Sequence, residues 1–116
     1  MKFKMIIALV SDDVTDKVVK AARENGATGC TVLTNARGEG LRKTKTFLGL
    51  DLSGARDLIL TVVEQHLAKG ILETMAKVGS FEEKPGSGVA FMLDVEDAVG
   101  LTSQIGTIST EIKDEI

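Results

Sequence analysis

The sequence predicts an α+β domain of βαββαβ order, in which an antiparallel sheet carries two helices on one face. Three observations carry that expectation. Four stretches have strand character, at Phe3–Val10, Gly29–Thr34, Asp57–Val63 and Val89–Val95. Apolar residues recur at helical spacing between the first and second of these, and again between the third and fourth. The segment joining the second and third strands keeps neither period, so a loop rather than a helix links the two halves.

Taken in order, Phe3–Val10 is continuously apolar, as a strand covered on at least one face should be. Ser11, Asp12 and Asp13 are candidates for the N-cap of the first helix, where negative charge suits the dipole. Val14, Val18, Ala21 and Ala22 mark its inner face, and Asp16, Lys17, Lys20 and Arg23 its outer one. Gly26 suits the left-handed position just past the helix end. Gly29–Thr34 is rich in β-branched residues, and the intervening helix implies a right-handed crossover between parallel strands.

Asp57–Val63 is the third strand. The second helix places Leu67, Ile71, Met75 and Val78 on one side, with Glu64, Lys69, Glu73 and Lys77 largely opposite. Gly70 inside it costs about 1 kcal/mol against Ala, which implies close packing on the sheet. Gly79 closes the helix, Ser80–Gly88 is a loop and Val89–Val95 is the fourth strand. The remainder, with apolar residues at Val99, Leu101, Ile105, Ile108 and Ile112, reads as a C-terminal arm or tail from residue 102 onward. This order is the ferredoxin-like plan. Its first and third strands are apolar on both sides, so the face without helices should be covered by self-association.

Composition narrows the function classes. A chain of 116 residues, 43% hydrophobic and 27% charged, is sized for one globular domain. A net charge of −3 argues against general nucleic-acid binding, and without Trp or Tyr there are only four Phe rings on which bases could stack. The N-terminal apolar run is too short for a membrane span and lacks a small-residue cleavage site. The lone Cys30 excludes an intrachain disulfide and fits a cytoplasmic protein, and with His66 as the one histidine it cannot build a Cys/His zinc cluster. Cys30 reads as a buried structural thiol and His66 as a surface or cap residue.

Two loops call for explanation. The first, at about residues 36–56, is longer than a compact domain needs and carries Arg37, Arg42, Lys43 and Lys45 against Glu39, a local charge of +3. It reads as an arm that contacts a partner or an anion. The second, at about residues 79–88, holds Gly86-Ser87-Gly88, whose backbone N–H groups can approach an anion; the Walker A spacing is absent. Both abut strand ends, where ligand sites collect.

Gly29-Cys30-Thr31-Val32 before the long loop, Gly38-Glu39-Gly40 near its base, Val62-Val63 ending the third strand and Gly86-Ser87-Gly88 before the fourth together resemble the PII signalling superfamily, in particular its divergent PII-like branch, over roughly residues 1–101. The resemblance implies a non-enzymatic regulatory homotrimer that binds an adenine nucleotide in clefts between subunits. It also implies a long T-loop that docks on a target, plausibly a membrane transporter, which would bring a cytoplasmic protein to the membrane through its partner. Position by position, it implies base contacts from Thr31, Ile7 and Val63, and phosphate contacts from Gly38, Gly40, Gly86, Ser87 and Gly88. It further implies partner contacts from Arg37, Arg42, Lys43 and Lys45. The chain departs from the family where it has no tyrosine for uridylylation, where Val89 replaces a lysine, and where Gly100 and Thr102 replace an Arg-x-Arg pair. Loss of three cations favours AMP, ADP or a cyclic nucleotide over ATP, with Arg42 or Lys84 left to compensate. Two other readings stand beside this one: a metal-tolerance-like trimer of the same shape, and a small enzyme using Asp94 or Glu96, which stand two apart on one strand face but, with no adjacent nucleophile, read rather as a solvated or interface-paired strand end.

Overall fold

The computed structural model describes residues 2–36, 46–47, 50–51 and 56–100. In them the chain forms β1 (Phe3–Ser11), α1 (Thr15–Glu24), β2 (Thr31–Ala36), β3 (Thr46–Phe47), β4 (Leu50–Asp51), β5 (Arg56–Glu64), α2 (Gln65–Val78) and β6 (Gly88–Asp94). Four strands make one sheet in the order β2-β5-β1-β6, with every neighbouring pair antiparallel. Because β1 and β2 each pair with β5, they run parallel to one another without touching, as the crossover requires. The hairpin of β3 and β4 lies in the connection that reads as a loop; two-residue strands are too short to register as a period. The C-terminal segment from residue 101 lies outside the described residues.

Strand alternation sorts the side chains. Ile6, Ala8 and Val10 of β1 and Ile59 and Val63 of β5 face the helices. There they meet Val18 and Ala22 of α1 and Ala68, Ile71 and Met75 of α2, with Ala90 and Met92 of β6 closing the edge. Ile6, Ile59, Ile71 and Met75 are fully buried. Cys30, half-buried, packs against this core.

The helix ends refine the sequence expectations. Helix α1 has Val14, not Ser11, Asp12 or Asp13, at its N-cap, and no side chain caps it. Ser11 ends the strand, and its carbonyl accepts the Val14 N–H at 3.1 Å through a tight turn. At the other end Gly26 is left-handed, with φ +114°. Its N–H donates to Arg23 and that of Ala27 to Ala22, at 3.2 and 3.0 Å, which satisfies two of the carbonyls a helix end orphans. Helix α2 closes with the same pair of bonds, Ser80 to Lys77 and Phe81 to Ala76, but there Ser80 is left-handed at φ +56° and Gly79 is helical at φ −81°. Gly79 is therefore not a glycine for its dihedral angles.

The face without helices is apolar in three cross-strand rows: Val62, Met5 and Leu93; Thr31, Leu60, Ile7 and Phe91; and Leu33, Leu58, Leu9 and Val89. No described segment covers it, and Leu33 and Leu93 are 49% and 47% exposed. The two-sided apolarity read from β1 and β5 is thus real.

Gly70 departs from its expectation. It is exposed, and a Cβ there would meet nothing within 4 Å, so sheet packing does not explain it. Gly70→Ala should therefore raise the unfolding free energy, by up to about 1 kcal/mol through helix propensity alone. Urea titration measures the shift, and a destabilised variant would contradict this account of the helix.

Candidate functional site

Strand register brings the two loops together at one end of the sheet. Ala36, where the long loop departs, lies opposite Arg56, where it returns, and Arg56 lies opposite Ser11 at the end of β1. Gly88, the first residue of β6, stands opposite Val10. Between Leu33 and Ala36 the register slips by one residue, and Asn35 sits at φ +58°, a conformation Asn tolerates better than most residues. The resulting bulge re-aims the chain as it leaves the sheet.

Arg56 is the charged residue at this junction and is only 7% exposed. Its Nη1 donates to the Gly86 carbonyl at 2.5 Å. Its Nη2 lies 3.9 Å from where a Cβ on Gly86 would sit. Next to it, Asp57 accepts a 2.7 Å bond from Thr15 Oγ1, so β5 is tied to the second loop by one residue and to the start of α1 by the next.

The second loop is closed by its own hydrogen bonds. The Ser80 carbonyl accepts both the Lys84 N–H and the Ser87 hydroxyl at 2.9 Å. The Ser87 N–H donates to Lys84 at 3.1 Å, and the Ser87 carbonyl accepts the Ser11 N–H at 2.9 Å. Gly86 is left-handed at φ +83°, which explains that glycine. Gly88 has a different reason: the Phe81 ring packs against both Gly88 and Gly79, and a Cβ would reach within 2.7 Å of ring Cδ1 at the first and 2.9 Å at the second.

Of the residues expected in a site, Ile7 and Thr31 share one row of the open face, with Leu60 between them. Gly86, Ser87 and Gly88 form the turn at the sheet end. Val63 does not join them: it is 3% exposed in the helix-side core, and its neighbour Val62 occupies the open face beside Met5. The parity of a strand cannot be fixed when it is apolar at every position, which is why the sequence allows that slip. Gly38, Gly40, Arg37, Arg42, Lys43 and Lys45 lie outside the described residues, as do Leu101 and Thr102. Arg56 escapes sequence reasoning, although a cation at the head of an otherwise apolar strand is a visible signal.

Charges elsewhere have local explanations. The Asp13 carboxyl is held below its usual range, first by a hydrogen bond from the Ser11 side chain and further by the charges of Lys84 and Lys17. Asp94 accepts a short hydrogen bond from Lys4, and that bond, then the lysine's charge, keeps it ionised. Glu96 lies beyond the end of β6, so the two acids do not form a pair on one strand face. Asp94, Glu96 and Asp97 line a shallow groove with Met5, Leu93 and Val95, at the sheet end opposite the loops. His66 is exposed on α2, 3.5 Å from Glu64. Among the described residues no three His, Cys, Asp or Glu side chains are placed to hold a metal ion, and no helix is long and apolar enough to cross a membrane.

The sequence model of the family "Nitrogen regulatory protein P-II" matches residues 3–104 of this chain. The chain belongs to the P-II family. Proteins of this family are non-enzymatic regulators that bind adenine nucleotides. Solved structures that share the fold include the following two. One is a PII-like protein of Thermus thermophilus, 23% identical, with a TM-score of 0.59 over 82% of this chain and 88% of its own. The other is CPII of Thiomonas intermedia, in complex with ADP, AMP and acetate, 20% identical, with a TM-score of 0.64 over 86% of this chain and 92% of its own. No curated protein matches the chain.

Two outcomes follow from the P-II loop and strand ends described above. Gly88→Ala should cost about 1–3 kcal/mol by overpacking against Phe81, and a double-mutant cycle with Phe81→Ala should show strong coupling; additive effects in urea titrations would contradict the ring's placement. For Asp94, a lowered folded-state pKa means its stabilisation is complete above the ordinary value of 3.8 and is lost as pH falls through the folded one. Asp94→Asn should therefore flatten the fall in stability below pH 3.8, and an unchanged acid profile would show that the Lys4 contact is not coupled to folding.

Proposed function

We propose that this P-II family member is a trimeric regulator that binds AMP or ADP in preference to ATP and signals through its long loop. The observation that carries the reading is the convergence of the long loop's base, at Ala36 and Arg56, with the Gly86–Gly88 turn at one end of the sheet. Beside them runs an apolar face, covered by none of the described residues, that includes Ile7, Leu60 and Thr31. A second copy packed on that face would bury the rows headed by Val62, Thr31 and Leu33, and would turn each sheet end into a cleft shared by two subunits.

In that cleft the base rests on Ile7, Val62 and Leu60, with Thr31 supplying a hydroxyl. Val63 acts behind them by holding β5 to the core. Gly86, Ser87 and Gly88 shape the phosphate side, joined by Gly38 and Gly40 of the loop. Val89, Gly100 and Thr102 stand where the family has cations, so a triphosphate gains little over a mono- or diphosphate. The fold neighbour CPII binds both ADP and AMP, in keeping with this preference. Arg37, Arg42, Lys43 and Lys45 give the loop a positive surface suited to an acidic patch on a partner, a membrane transporter being the expected kind. Under this reading residues 1–101 form the nucleotide-binding unit and 102–116 an appended arm.

Calorimetry with AMP, ADP, ATP and adenosine, on protein shown by light scattering to be trimeric at micromolar concentration, tests the proposal. AMP or ADP should bind at least as tightly as ATP, one per subunit. Tenfold tighter ATP, about 1.4 kcal/mol, would overturn the preference. A stable monomer, or no binding of any of them at millimolar concentration, would overturn the reading itself.

A further inference from the structure

We propose that Asn25 is a modification site, an asparagine that converts spontaneously to aspartate and isoaspartate when the C-terminal cap of α1 opens. The inference is independent of the nucleotide reading. The chain has two asparagines, Asn25 before Gly26 and Asn35 before Ala36. Deamidation begins when the backbone nitrogen of the following residue attacks the side-chain amide carbon. Glycine hinders that attack least, because it has no Cβ and turns freely. Asn25 and Gly26 are both exposed, and Gly26 lies against Leu67 of α2, on the helix side of the sheet. Self-association over the open face would therefore leave the pair accessible. The reaction needs water alone. A bond forms between the Gly26 nitrogen and Asn25 Cγ, the Cγ–Nδ2 bond breaks, and the Gly26 amide proton leaves with Nδ2 as ammonia. Water then opens the cyclic imide. Attack at Cγ gives aspartate; attack at the main-chain carbonyl gives isoaspartate, whose backbone runs through the side chain.

In the folded chain both reacting groups are held by hydrogen bonds. Asn25 Nδ2 donates to the Ala21 carbonyl at 2.7 Å, and the Gly26 N–H donates to Arg23 at 3.2 Å. The side chain is thus folded back on the last turn of α1, while the Gly26 nitrogen closes the helix. Attack requires both bonds to be released, and the neighbouring bond from Ala27 to Ala22 loosens with them. Leu67 restrains that opening, since its Cδ1 lies 2.9 Å from where a Cβ on Gly26 would sit. Helix ends open locally at far less cost than the whole fold, so the cap sets the rate. The product does not restore the cap. It replaces a donor with a carboxylate beside the Ala21 carbonyl, at the helix end where the dipole disfavours negative charge. Thr61 Oγ1 donates to the Gly29 carbonyl at 2.6 Å, which pins the chain ahead of β2 and confines the change to the helix end.

The test ages the unaltered protein in mildly alkaline buffer, folded and in denaturing urea, and maps its peptides by mass for aspartate and isoaspartate. Asn25 should convert ahead of Asn35 in both. In the folded state it should convert at least about tenfold more slowly, the ratio set by an opening cost of about 1.4 kcal/mol. Leu67→Val should speed conversion in the folded protein and leave the denatured rate unchanged. Should that variant fail to fold, urea below the unfolding midpoint loosens the cap instead and should raise the rate at Asn25. In Asn25→Asp the Gly26 and Ala27 amides should exchange with solvent about tenfold faster, while those of β2 keep their rates. Equal rates in folded and denatured protein, or no conversion of folded Asn25 even with the cap loosened, would overturn gating by the cap. Earlier conversion at Asn35 would overturn the choice of site, and unchanged exchange in Asn25→Asp the consequence drawn for the product.

Discussion

A sheet whose strands are apolar on both faces needs two covers, and the described residues supply one. Helices α1 and α2 seal Ile6, Val10, Ile59 and their neighbours from water. The reverse of the same strands presents Val62, Leu93 and Leu33 to solvent. The remaining architecture is arranged around that imbalance. The two strands that are apolar on both sides, β1 and β5, form the centre of the sheet, with β2 and β6 as its edges. The turn and the long loop must then leave from the sheet's ends rather than from its faces.

At the end where both loops leave, the polar groups divide the work. Asp57 receives the Thr15 hydroxyl and anchors the start of α1, while Arg56 reaches the Gly86 carbonyl and anchors the turn. Two buried charged residues next to one another on a strand would be costly without such bonds. Ser87 binds Ser80 through its hydroxyl and Ser11 through its carbonyl, so the turn is held by its own hydrogen bonds. The three glycines around it serve two ends: Gly86 for its dihedral angles, and Gly79 and Gly88 for the Phe81 ring.

That division cautions against reading a glycine motif as a ligand motif. Gly86-Ser87-Gly88 has the look of an anion cradle, yet packing accounts for Gly88 and internal hydrogen bonds engage Ser87. The P-II family binds adenine nucleotides, and the proposed function sets this turn beside one. The tertiary contacts add what holds it in place there. Gly70 makes the opposite point, as a glycine whose surroundings ask for none.

The sequence by itself determined the order of the four main strands and two helices, the inner faces of those helices and the family, because periodicity and apolar content are local properties that survive without coordinates. Val18, Ala22, Ile71 and Met75 were legible as core from their spacing, and Gly26 as a helix terminator from its position. Only the tertiary structure decided which side of an all-apolar strand faces the helices. That choice separates Val62 from Val63 and places Ile7 and Thr31 in one row. It is set by cross-strand register, a relation between distant residues that no single segment encodes. The same holds for Arg56: the bond that gives it a role joins residues thirty apart in sequence, and two loops with no common pattern meet only because the strands that carry them end side by side.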